Sequence, residues 1–333
     1  MALKPIVKWS GGKKDEIKLF QKHIPEYETY LEPFIGGGGL YFHLCPKKAV
    51  IADVHKELIA MYQSIKDGKS EDIYQFMKDH PNEEVVYYEV RDKMEIKDDL
   101  DLAKRFYYQR KTCFRGMLRY NKKGKFNIPF GKYKTCNFEA LLDKGYETVL
   151  KNTEILNSSF ENVFEQYDDE SNFMFLDPPY DSEFTDYGYC SFGKEEQNRL
   201  ADCFKKTRNK CLMIIGKTDF IVDLYGPYIV DEYPKKYRFK IHSNRVGDEI
   251  NTMHLVIKNY NSKGELASLA AIINYSEFHR MEVGEVNLED VITSSAGLMG
   301  WAEHIPEPAQ EDAQEPPPEE PQVVEAAPEP PPE

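Results

Sequence analysis

Short apolar runs and helical patterns alternate in the N-terminal part of the chain. Residues 30–34 and 49–53 read as two buried strands, and the residues that follow the glycine run at 36–39 suit the start of a helix. At residues 58–65, apolar side chains recur at helical spacing. This strand-loop-helix-strand-helix order predicts a parallel sheet that is covered by helices.

Strand patterns return only after a long stretch of different character. Residues 70–165 are charged, aromatic and mostly helical in pattern, with a turn at 121–124. Further strands are predicted at 173–177 and 211–216, joined by a crossover helix at 194–207, and a late antiparallel strand at 252–257. We therefore predict a discontinuous α/β domain, residues 1–55 and 160–260, that is interrupted by a mostly helical inserted domain, residues 56–159.

Charge is distributed very unevenly along the chain. The net charge is −14, but residues 303–333 hold ten Asp or Glu and no Lys or Arg, so residues 1–302 carry only −4. Residues 102–138 hold eleven Lys or Arg and no acid, which suits binding to a polyanion. The Pro/Glu-rich segment 303–333 cannot bury enough apolar surface to fold and is predicted to be disordered, whereas residues 261–302 stay unassigned.

Cysteine and histidine positions favour neither a metal site nor disulfides. None of the six Cys residues shows C-x-x-C spacing, and reduced thiols of a cytosolic protein are the favoured interpretation. The N-terminus lacks the apolar run of a signal peptide, and no stretch is long and apolar enough to span a membrane. We therefore expect a soluble, cytoplasmic, metal-independent protein, and a monomer. No metal-ligand spacing is found among His23, His43, His55 and His254.

A glycine run between a predicted strand and a predicted helix is a candidate ligand loop. Gly36 to Gly39 follow the strand that ends at Phe34, and open α/β sheets bind ligands at the carboxyl ends of their strands. Asp53 ends the second strand, where a carboxylate can accept hydrogen bonds from ribose hydroxyls. The run lacks G-x-G-x-x-G spacing because position 41 is Tyr, which favours S-adenosylmethionine (SAM) over NAD. The alternatives are a tight turn for the glycines and a helix cap for Asp53.

The tetrapeptide Asp177-Pro178-Pro179-Tyr180 follows a predicted strand. Its two prolines stop the strand and stiffen the loop, so that the Asp177 carboxylate and the Pro178 carbonyl are oriented together. Both groups are acceptors and suit the two donors of an NH2 group, whose nitrogen they would make pyramidal while they stabilise positive charge. Tyr180 can stack on a flat base. The loop predicts methylation of an exocyclic amino group of a nucleobase, although alone it could be a plain proline-rich turn.

Several motifs in register resemble the Dam-like (D12 class) N6-adenine DNA methyltransferases, over about residues 4–258. Residues 8–13 resemble the family's N-terminal cofactor motif, 32–38 its SAM loop, 51–62 its ribose-binding strand and helix, 119–131 its DNA-reading region and 177–180 its catalytic motif. The resemblance implies a Rossmann-like sheet of a SAM-dependent methyltransferase with an inserted DNA-recognition domain. It also implies a set of cofactor-binding residues: Trp9, Lys13, Phe34, Gly36, Gly38, Asp53 and Asp177.

By the same resemblance, DNA contacts lie within residues 114–121. Phe114 would fill the gap that a flipped base leaves, and Arg119 would read a base edge, since a guanidinium suits the O6 and N7 of guanine. Arg115 departs from the family pattern, which has Asn there, so the recognised sequence stays open, with a GATC-like site as the best single guess. The predicted DNA-binding set is Phe114, Arg115, Met117, Arg119 and Asn121.

The predicted function is site-specific transfer of a methyl group from SAM to N6 of adenine in duplex DNA, by base flipping and direct displacement. A place in a restriction-modification system, in a bacterium or as a viral protein inside its host cell, is one option. The alternatives are methylation of cytosine N4 or of adenine in RNA, and an inactive DNA-binding decoy. For the acidic tail, we hypothesise competition with DNA for the basic segment; a solubilising or protein-binding role is the alternative.

Overall fold

A seven-stranded sheet with the strand order β3-β2-β1-β4-β5-β7-β6 forms the centre of the fold. The computed structural model describes residues 2–121, 123–180, 192–242, 245–261 and 263–266. Strands β1 to β5 are parallel, whereas β7 is antiparallel to both β5 and β6. The strands are β1 Thr29–Glu32, β2 Ala49–Asp53, β3 Thr153–Asn157, β4 Asn172–Leu176, β5 Lys210–Gly216, β6 Ile229–His242 and β7 Arg245–Lys258.

Helices cover both faces of this sheet. In the described residues they are α1 Ile17–Phe20, α2 Gly39–Leu44, α3 Lys56–Lys66, α4 Ser70–Asp79, α5 Glu84–Lys93, α6 Asp99–Thr112, α7 Lys144–Lys151, α8 Phe160–Gln166, α9 Lys194–Lys206 and α10 Asp219–Tyr225. Apolar side chains of α1 to α7 pack in one buried cluster, and those of α8 to α10 in a second one. The chain thus builds one helical layer before β3 and most of the other layer after it.

The central strands are buried on both faces because their sequences are almost continuously apolar. Successive residues along a strand point to opposite faces, so neighbours in sequence enter different clusters. Tyr30, Ile51, Phe173 and Leu212 belong to the first cluster, and Leu31, Val50, Met174 and Met213 to the second.

The α/β class is confirmed, and so are the strands predicted at 30–34, 49–53, 173–177 and 211–216 and the late antiparallel strand. The pattern did not indicate β3 or β6. Strand β3 lies within residues 56–159 and forms one edge of the sheet. Because the helices of that range share a buried cluster with the sheet, the separate inserted domain is not confirmed. The predictions for residues 267–302 and for the tail 303–333 lie outside the described residues.

The topology places three chain segments side by side. The parallel neighbours of β1 are β2 on one side and β4 on the other, so the direction in which the chain winds switches at β1. Ligands bind outside the carboxyl ends of the strands at such a switch point. The loops that follow β1, β2 and β4 therefore meet there, and these are the loops of the glycine run, Asp53 and Asp177.

Candidate active site

Asp177 follows β4 directly and forms an ion pair with a buried lysine from the N-terminal segment. The Lys13 Nζ atom lies 2.5 Å from Asp177 Oδ1 and also donates to the carbonyl of Gly11 at 2.8 Å. The Lys13 side chain is 1% exposed and that of Asp177 18%. Burial raises the pKa of Asp177 above its usual value, and the charge and hydrogen bond of Lys13 limit that rise. Lys13 therefore favours the ionised carboxylate in a partly dry site.

The ring of Tyr180 is fixed on several sides. Lys13 Nζ lies 5.0 Å from the ring centroid, and the ring of His254 meets it edge-on at 5.3 Å. A Cβ atom added to Gly216, at the end of β5, would lie 3.3 Å from Tyr180 Cδ2, so the aromatic ring packs close to that glycine. The loop 177–180 is thus held between the N-terminal segment, β5 and β7.

The two proline carbonyls of the motif differ in their partners. The carbonyl of Pro179 accepts a hydrogen bond of 2.8 Å from Nε2 of Gln197, a fully buried residue of α9. Within the part of the chain that the structure describes, no donor is bonded to the carbonyl of Pro178 or to Oδ2 of Asp177. Toward the described residues, two acceptors of the motif are therefore open.

The glycine run turns tightly beneath the ring of Trp9. Gly36 has φ +45° and Gly38 has φ +66°, a region that residues with a Cβ rarely adopt. A Cβ atom on Gly36 would lie 2.6 Å from Nε1 of Trp9, and one on Gly38 would lie 2.8 Å from Cδ2 of Phe42. Both positions thus require glycine. Tyr62 donates to the carbonyl of Gly36 at 2.8 Å and ties the loop to α3.

Asp53 is buried at the end of β2 and caps backbone amides. Its Oδ2 accepts from the Gly36 N–H at 3.1 Å, and its Oδ1 accepts from the His55 N–H at 2.9 Å. Burial raises the pKa of Asp53 to about 6, against the lowering effect of these amides. A carboxylate has about four lone-pair sites, so both oxygens can accept one more bond. The adjacent Val54 is 49% exposed, which leaves an apolar side chain open beside the acid.

Glu16 is the centre of a buried polar cluster that sequence reasoning missed. It accepts from Tyr233 at 2.9 Å, from Lys235 at 2.5 Å and from His254 Nδ1 at 2.7 Å. Burial would raise the pKa of Glu16, but the hydrogen bonds from His254 and Lys235 and the charge of Lys13 outweigh it and lower the pKa to about 2. Glu16 is therefore ionised and ties the N-terminal segment to β6 and β7. No short motif could have indicated it, since its partners lie more than 200 residues away.

The predicted DNA-binding residues lie on a hairpin-like loop, residues 113–130, which we call the reader hairpin. Bridges between Cys113 and Phe130 and between Tyr120 and Phe126 close it. At its surface Phe114 is 40% and Met117 41% exposed, which is unusual for large apolar side chains. The predicted DNA-binding residues Phe114, Arg115, Met117, Arg119 and Asn121 are all exposed on this hairpin.

Two of these residues have strained or fixed conformations. Arg115 has φ +56°, a left-handed conformation that costs roughly 1–3 kcal/mol in a residue other than Gly, and its guanidinium lies 5.1 Å from the centroid of the Phe114 ring. The Nε atom of Arg119 donates to Oδ1 of Asn127 at 2.8 Å. Such strain is typical of functional sites.

Asn121 organises the tip of the reader hairpin. Its Oδ1 accepts from the N–H groups of Lys123 and Lys125, and its carbonyl accepts from Gly124. The same turn recurs beyond β7, where Asn261 Oδ1 accepts from the N–H groups of residues 263 and 265 and its carbonyl accepts from residue 264. The two stretches read Y-N-x-K-G at residues 120–124 and 260–264. The bonds of Asn121 are thus explained by the turn.

A chain of hydrogen bonds links the cofactor side to the reader hairpin. His55 Nδ1 accepts from the Leu58 N–H, so its Nε2 carries the proton and donates to the hydroxyl of Tyr120 at 2.8 Å. Tyr120 in turn donates to Glu57 at 2.8 Å, and Glu57 also accepts from Arg105. Burial lowers the pKa of His55 to about 4, in agreement with a neutral ring.

The sequence as a whole matches a known family. A model of the D12 class N6 adenine-specific DNA methyltransferases matches residues 9–243. This chain belongs to that family. The enzyme is an adenine-specific DNA methyltransferase, and the motifs that resembled the family lie within or next to the matched residues.

Relatives of this methyltransferase come from a virus, an archaeon and a bacterium. It is 62% identical over 261 residues to the Type II methyltransferase M.CviBI of Paramecium bursaria Chlorella virus NC1A, with 78% of this chain and all of the relative covered. It is 32% identical over 290 residues to the Type II methyltransferase M.MjaIII of Methanocaldococcus jannaschii, with the same coverage. A DNA adenine methylase of Vibrio cholerae is 30% identical over 211 residues, which cover 60% of this chain and 76% of that protein.

Similarity to solved structures is much lower. An rRNA methylase from Streptococcus thermophilus superposes with a TM-score of 0.28 at 11% identity, covering 78% of this chain and 98% of that one.

The predicted site residues fall into two groups in space. Trp9, Lys13, Phe34, Gly36, Gly38 and Asp53 surround the carboxyl ends of β1, β2 and β4 together with the loop 177–180, and the DNA-binding set lies on the reader hairpin. Sequence reasoning missed Glu16, Val54, Gln197 and the pair of His55 and Tyr120. A Gln within a predicted helix and a His two residues after Asp53 were the available signals in the sequence, and both were too common to interpret.

Metal and membrane features are absent from the described residues. These residues contain no group of three or more His, Cys, Asp or Glu that could hold a metal ion. None of the helices in the same ranges combines the length and the hydropathy that a membrane crossing needs. In the same ranges Cys113, Cys136, Cys203 and Cys211 are not part of a disulfide bond.

Proposed function

We propose that this methyltransferase uses SAM and acts through the loop Asp177-Pro178-Pro179-Tyr180 on an adenine that is rotated out of duplex DNA. The observation that carries the proposal is that Asp177 Oδ1 and the Pro179 carbonyl accept hydrogen bonds, whereas Asp177 Oδ2 and the Pro178 carbonyl accept none from the described residues. An amino group offers two N–H donors and matches such a pair. The ring of Tyr180 supplies a flat surface beside them.

The residues at the ends of β1 and β2 fit SAM. Glycines at 36 and 38 keep the loop free of side chains, and Asp53 can accept bonds from ribose hydroxyls with the lone pairs that its amide partners leave. Val54 adds an exposed apolar side chain that suits a flat nucleoside base. Trp9, Lys13 and Phe34 complete the proposed binding set. When bound, SAM supplies an activated methyl group on a sulfonium sulfur.

The chain's own residues prepare the amino group for attack. An aromatic amine is a weak nucleophile because its lone pair is spread into the ring. Hydrogen bonds from its two protons to Asp177 Oδ2 and to the Pro178 carbonyl would turn the nitrogen pyramidal and stabilise its developing positive charge. Lys13 binds Oδ1, favours the ionised form of Asp177 against the effect of burial and leaves Oδ2 for the amine. Asp177 is then placed to receive the proton that the methylated nitrogen loses.

The reader hairpin supplies the proposed contacts to DNA. Basic side chains at 115, 119, 123 and 125 can neutralise phosphates, and Phe114 can enter the space that a rotated base vacates. Arg119 is proposed to read guanine with its guanidinium, whose Nε donates to Asn127 Oδ1 at 2.8 Å and whose Nη2 donates to the Asn127 carbonyl at 3.4 Å. Arg115 is proposed to contribute to the choice of sequence.

The names of two relatives support a place in DNA modification of the restriction-modification type. M.CviBI and M.MjaIII are both called Type II methyltransferases. We propose that this enzyme likewise modifies a short fixed DNA sequence. Expression in a methylation-free host and sequencing of the methylated DNA would identify that sequence, and methylation without sequence preference would contradict the proposal.

Incubation of the enzyme with labelled SAM and unmethylated duplex DNA, followed by digestion to nucleosides, tests the reaction. We expect the label in N6-methyladenine. Label in N4-methylcytosine, or label transferred only to RNA, would overturn the proposal. A calorimetric titration with SAM separates an enzyme from a DNA-binding decoy, since the decoy gives no heat. Asp177→Ala is expected to abolish transfer while DNA binding stays largely intact.

A further inference from the structure

Gln197 lies outside the motifs that identify the family's site, yet it contacts the catalytic loop directly. It is fully buried on α9, and its Nε2 donates to the carbonyl of Pro179 at 2.8 Å. Burial of an amide side chain costs free energy unless the group is hydrogen-bonded. Because a proline carbonyl only accepts, the nitrogen and not the oxygen of the Gln197 amide must face it.

The catalytic loop cannot fix its own carbonyls. Pro178 and Pro179 have no N–H, so the loop lacks the backbone donors that close ordinary turns. The orientation of its peptide planes must therefore come from outside. For the Pro179 carbonyl that outside donor is Gln197, whereas the Pro178 carbonyl has no donor in the described residues.

The contact is a single bond. The Oε1 atom of Gln197 is buried and has no partner in the described ranges, so the amide is not one member of a larger polar network there. The matching of α9 to the loop thus depends on one donor and one acceptor. A change of this side chain is expected to free one peptide plane and little else.

We propose that Gln197 is a positioning residue that decides which carbonyl of the loop serves the amino group. It binds the Pro179 carbonyl and fixes the peptide plane between Pro179 and Tyr180, so that the ring of Tyr180 stays against Gly216. Of the two proline carbonyls, that of Pro178 then remains available to the amino group, which it binds together with Asp177 Oδ2. This inference rests on the proposed function of the loop and goes beyond it in assigning the selection to α9.

Two variants and a matched control test the inference. Gln197→Met keeps the length of the side chain but cannot donate. Gln197→Glu cannot donate when ionised but can donate when its carboxyl group is protonated. Asn198→Ala is the control, because the neighbouring Asn198 is exposed and bonds only its own helix at the carbonyl of Lys194.

Single-turnover methyl transfer with saturating SAM and DNA is the measurement. We expect Q197M to be about 10- to 100-fold slower, as is usual when a reacting group is misplaced by about 1 Å, with melting temperature and both affinities close to those of the wild type. Q197E is expected to recover rate as the pH falls, which the wild type does not do. Asn198→Ala should keep the wild-type rate.

Normal transfer by a folded Q197M, or a wild-type pH profile of Q197E, would overturn the inference. If Q197M melts far below the wild type, the pH profile of Q197E decides. Failure of the proposed function has a different signature, since the wild type itself would then leave N6 of adenine unmethylated.

Discussion

Lys13 Nζ lies 2.5 Å from Asp177 Oδ1, so the acid that follows β4 is paired with a base that precedes β1. The two residues are 164 positions apart in the chain. An opposite charge at this distance favours the ionised carboxylate and opposes the effect of burial on its pKa. The pair therefore connects the charge of the proposed catalytic loop to a residue that is proposed to bind the cofactor.

Lys13→Met is expected to move the acid limb of the pH–rate profile to higher pH. Asp177 must be ionised to accept from the amine, so activity is lost as the pH falls through its pKa. Without Lys13 that pKa rises further, and the limb should move to higher pH with it. Single-turnover rates at saturating SAM measure the shift. The exposed neighbour Lys14 serves as control in Lys14→Met, and an unmoved limb in Lys13→Met would contradict the role of the pair.

Glu16→Gln should remove stability that depends on pH. The pKa of Glu16 is about 2 in the folded protein and about 4.5 ordinarily, so its ionised form stabilises the fold above pH 4.5, and this contribution is lost as the pH falls towards 2. The contribution is roughly 3 kcal/mol. Urea unfolding should show that, as the pH falls from 4.5 towards 2, the free energy of unfolding of the wild type decreases by this amount more than that of the variant. Equal pH dependence of both proteins would refute the assignment; Glu28→Gln, at an exposed acid, is the control.

Gly36→Ala is expected to weaken SAM binding at least tenfold, a factor that corresponds to about 1.4 kcal/mol. The new Cβ would collide with Trp9 at 2.6 Å and would also stand at φ +45°. Gly124→Ala carries a similar strain, at φ +70°, in open space, and it separates strain from collision. Calorimetric titration with SAM is the measurement. If both variants bind SAM as the wild type does, the glycine loop is not the cofactor site.

Tyr120→Phe is expected to lower DNA affinity several-fold and SAM affinity less. The change removes the acceptor for His55 and the donor to Glu57. Loss of these partly buried hydrogen bonds costs about 1–3 kcal/mol of stability and so loosens the base of the reader hairpin. Tyr74→Phe removes an exposed hydroxyl bond on α4 and is the control. DNA binding by fluorescence anisotropy decides, and unchanged affinity in Tyr120→Phe would show that the hairpin is held by other contacts.

Deletion of residues 303–333 is expected to tighten non-specific DNA binding at low salt. The ten acids of this segment would otherwise compete with phosphates for the basic stretch, and the difference should shrink between about 50 mM and 200 mM salt. A chain with these acids changed to neutral amides should behave like the deletion. Identical salt curves for all three proteins would leave the tail without a role in DNA binding.

Local patterns in the sequence were sufficient for most of the sheet. The strands β1, β2, β4 and β5 each contain a short apolar run with turn residues nearby, and such runs are recognised without tertiary information. Strand β3 was not predicted because only Thr153 of its five residues is buried, as is usual for an edge strand with a polar face. Strand β6 was not predicted because it is stabilised by its pairing with β7 and has no clear strand pattern of its own.

The residues of the candidate site also differ in whether the local sequence indicates them. Strand ends and tight loops have recognisable local sequence patterns, and these patterns indicated Asp53, Gly36 and Asp177. Glu16 and Gln197 could not be found in this way, because their roles come from partners that the fold brings together across the chain. The prediction of a separate inserted domain failed to find support for a related reason, since the sharing of one core by two segments has no local signature.

The repeated turn at Asn121 and Asn261 has a consequence for how this enzyme could change its DNA target. Both copies make the same backbone bonds although the residues beside the shared positions differ, with Lys at 122 and 125 in one and Ser at 262 and Glu at 265 in the other. The scaffold of the hairpin tip is therefore independent of the charges that it displays. The charged residues at the tip can therefore be substituted, in evolution or by design, without a change in the backbone turn that supports them.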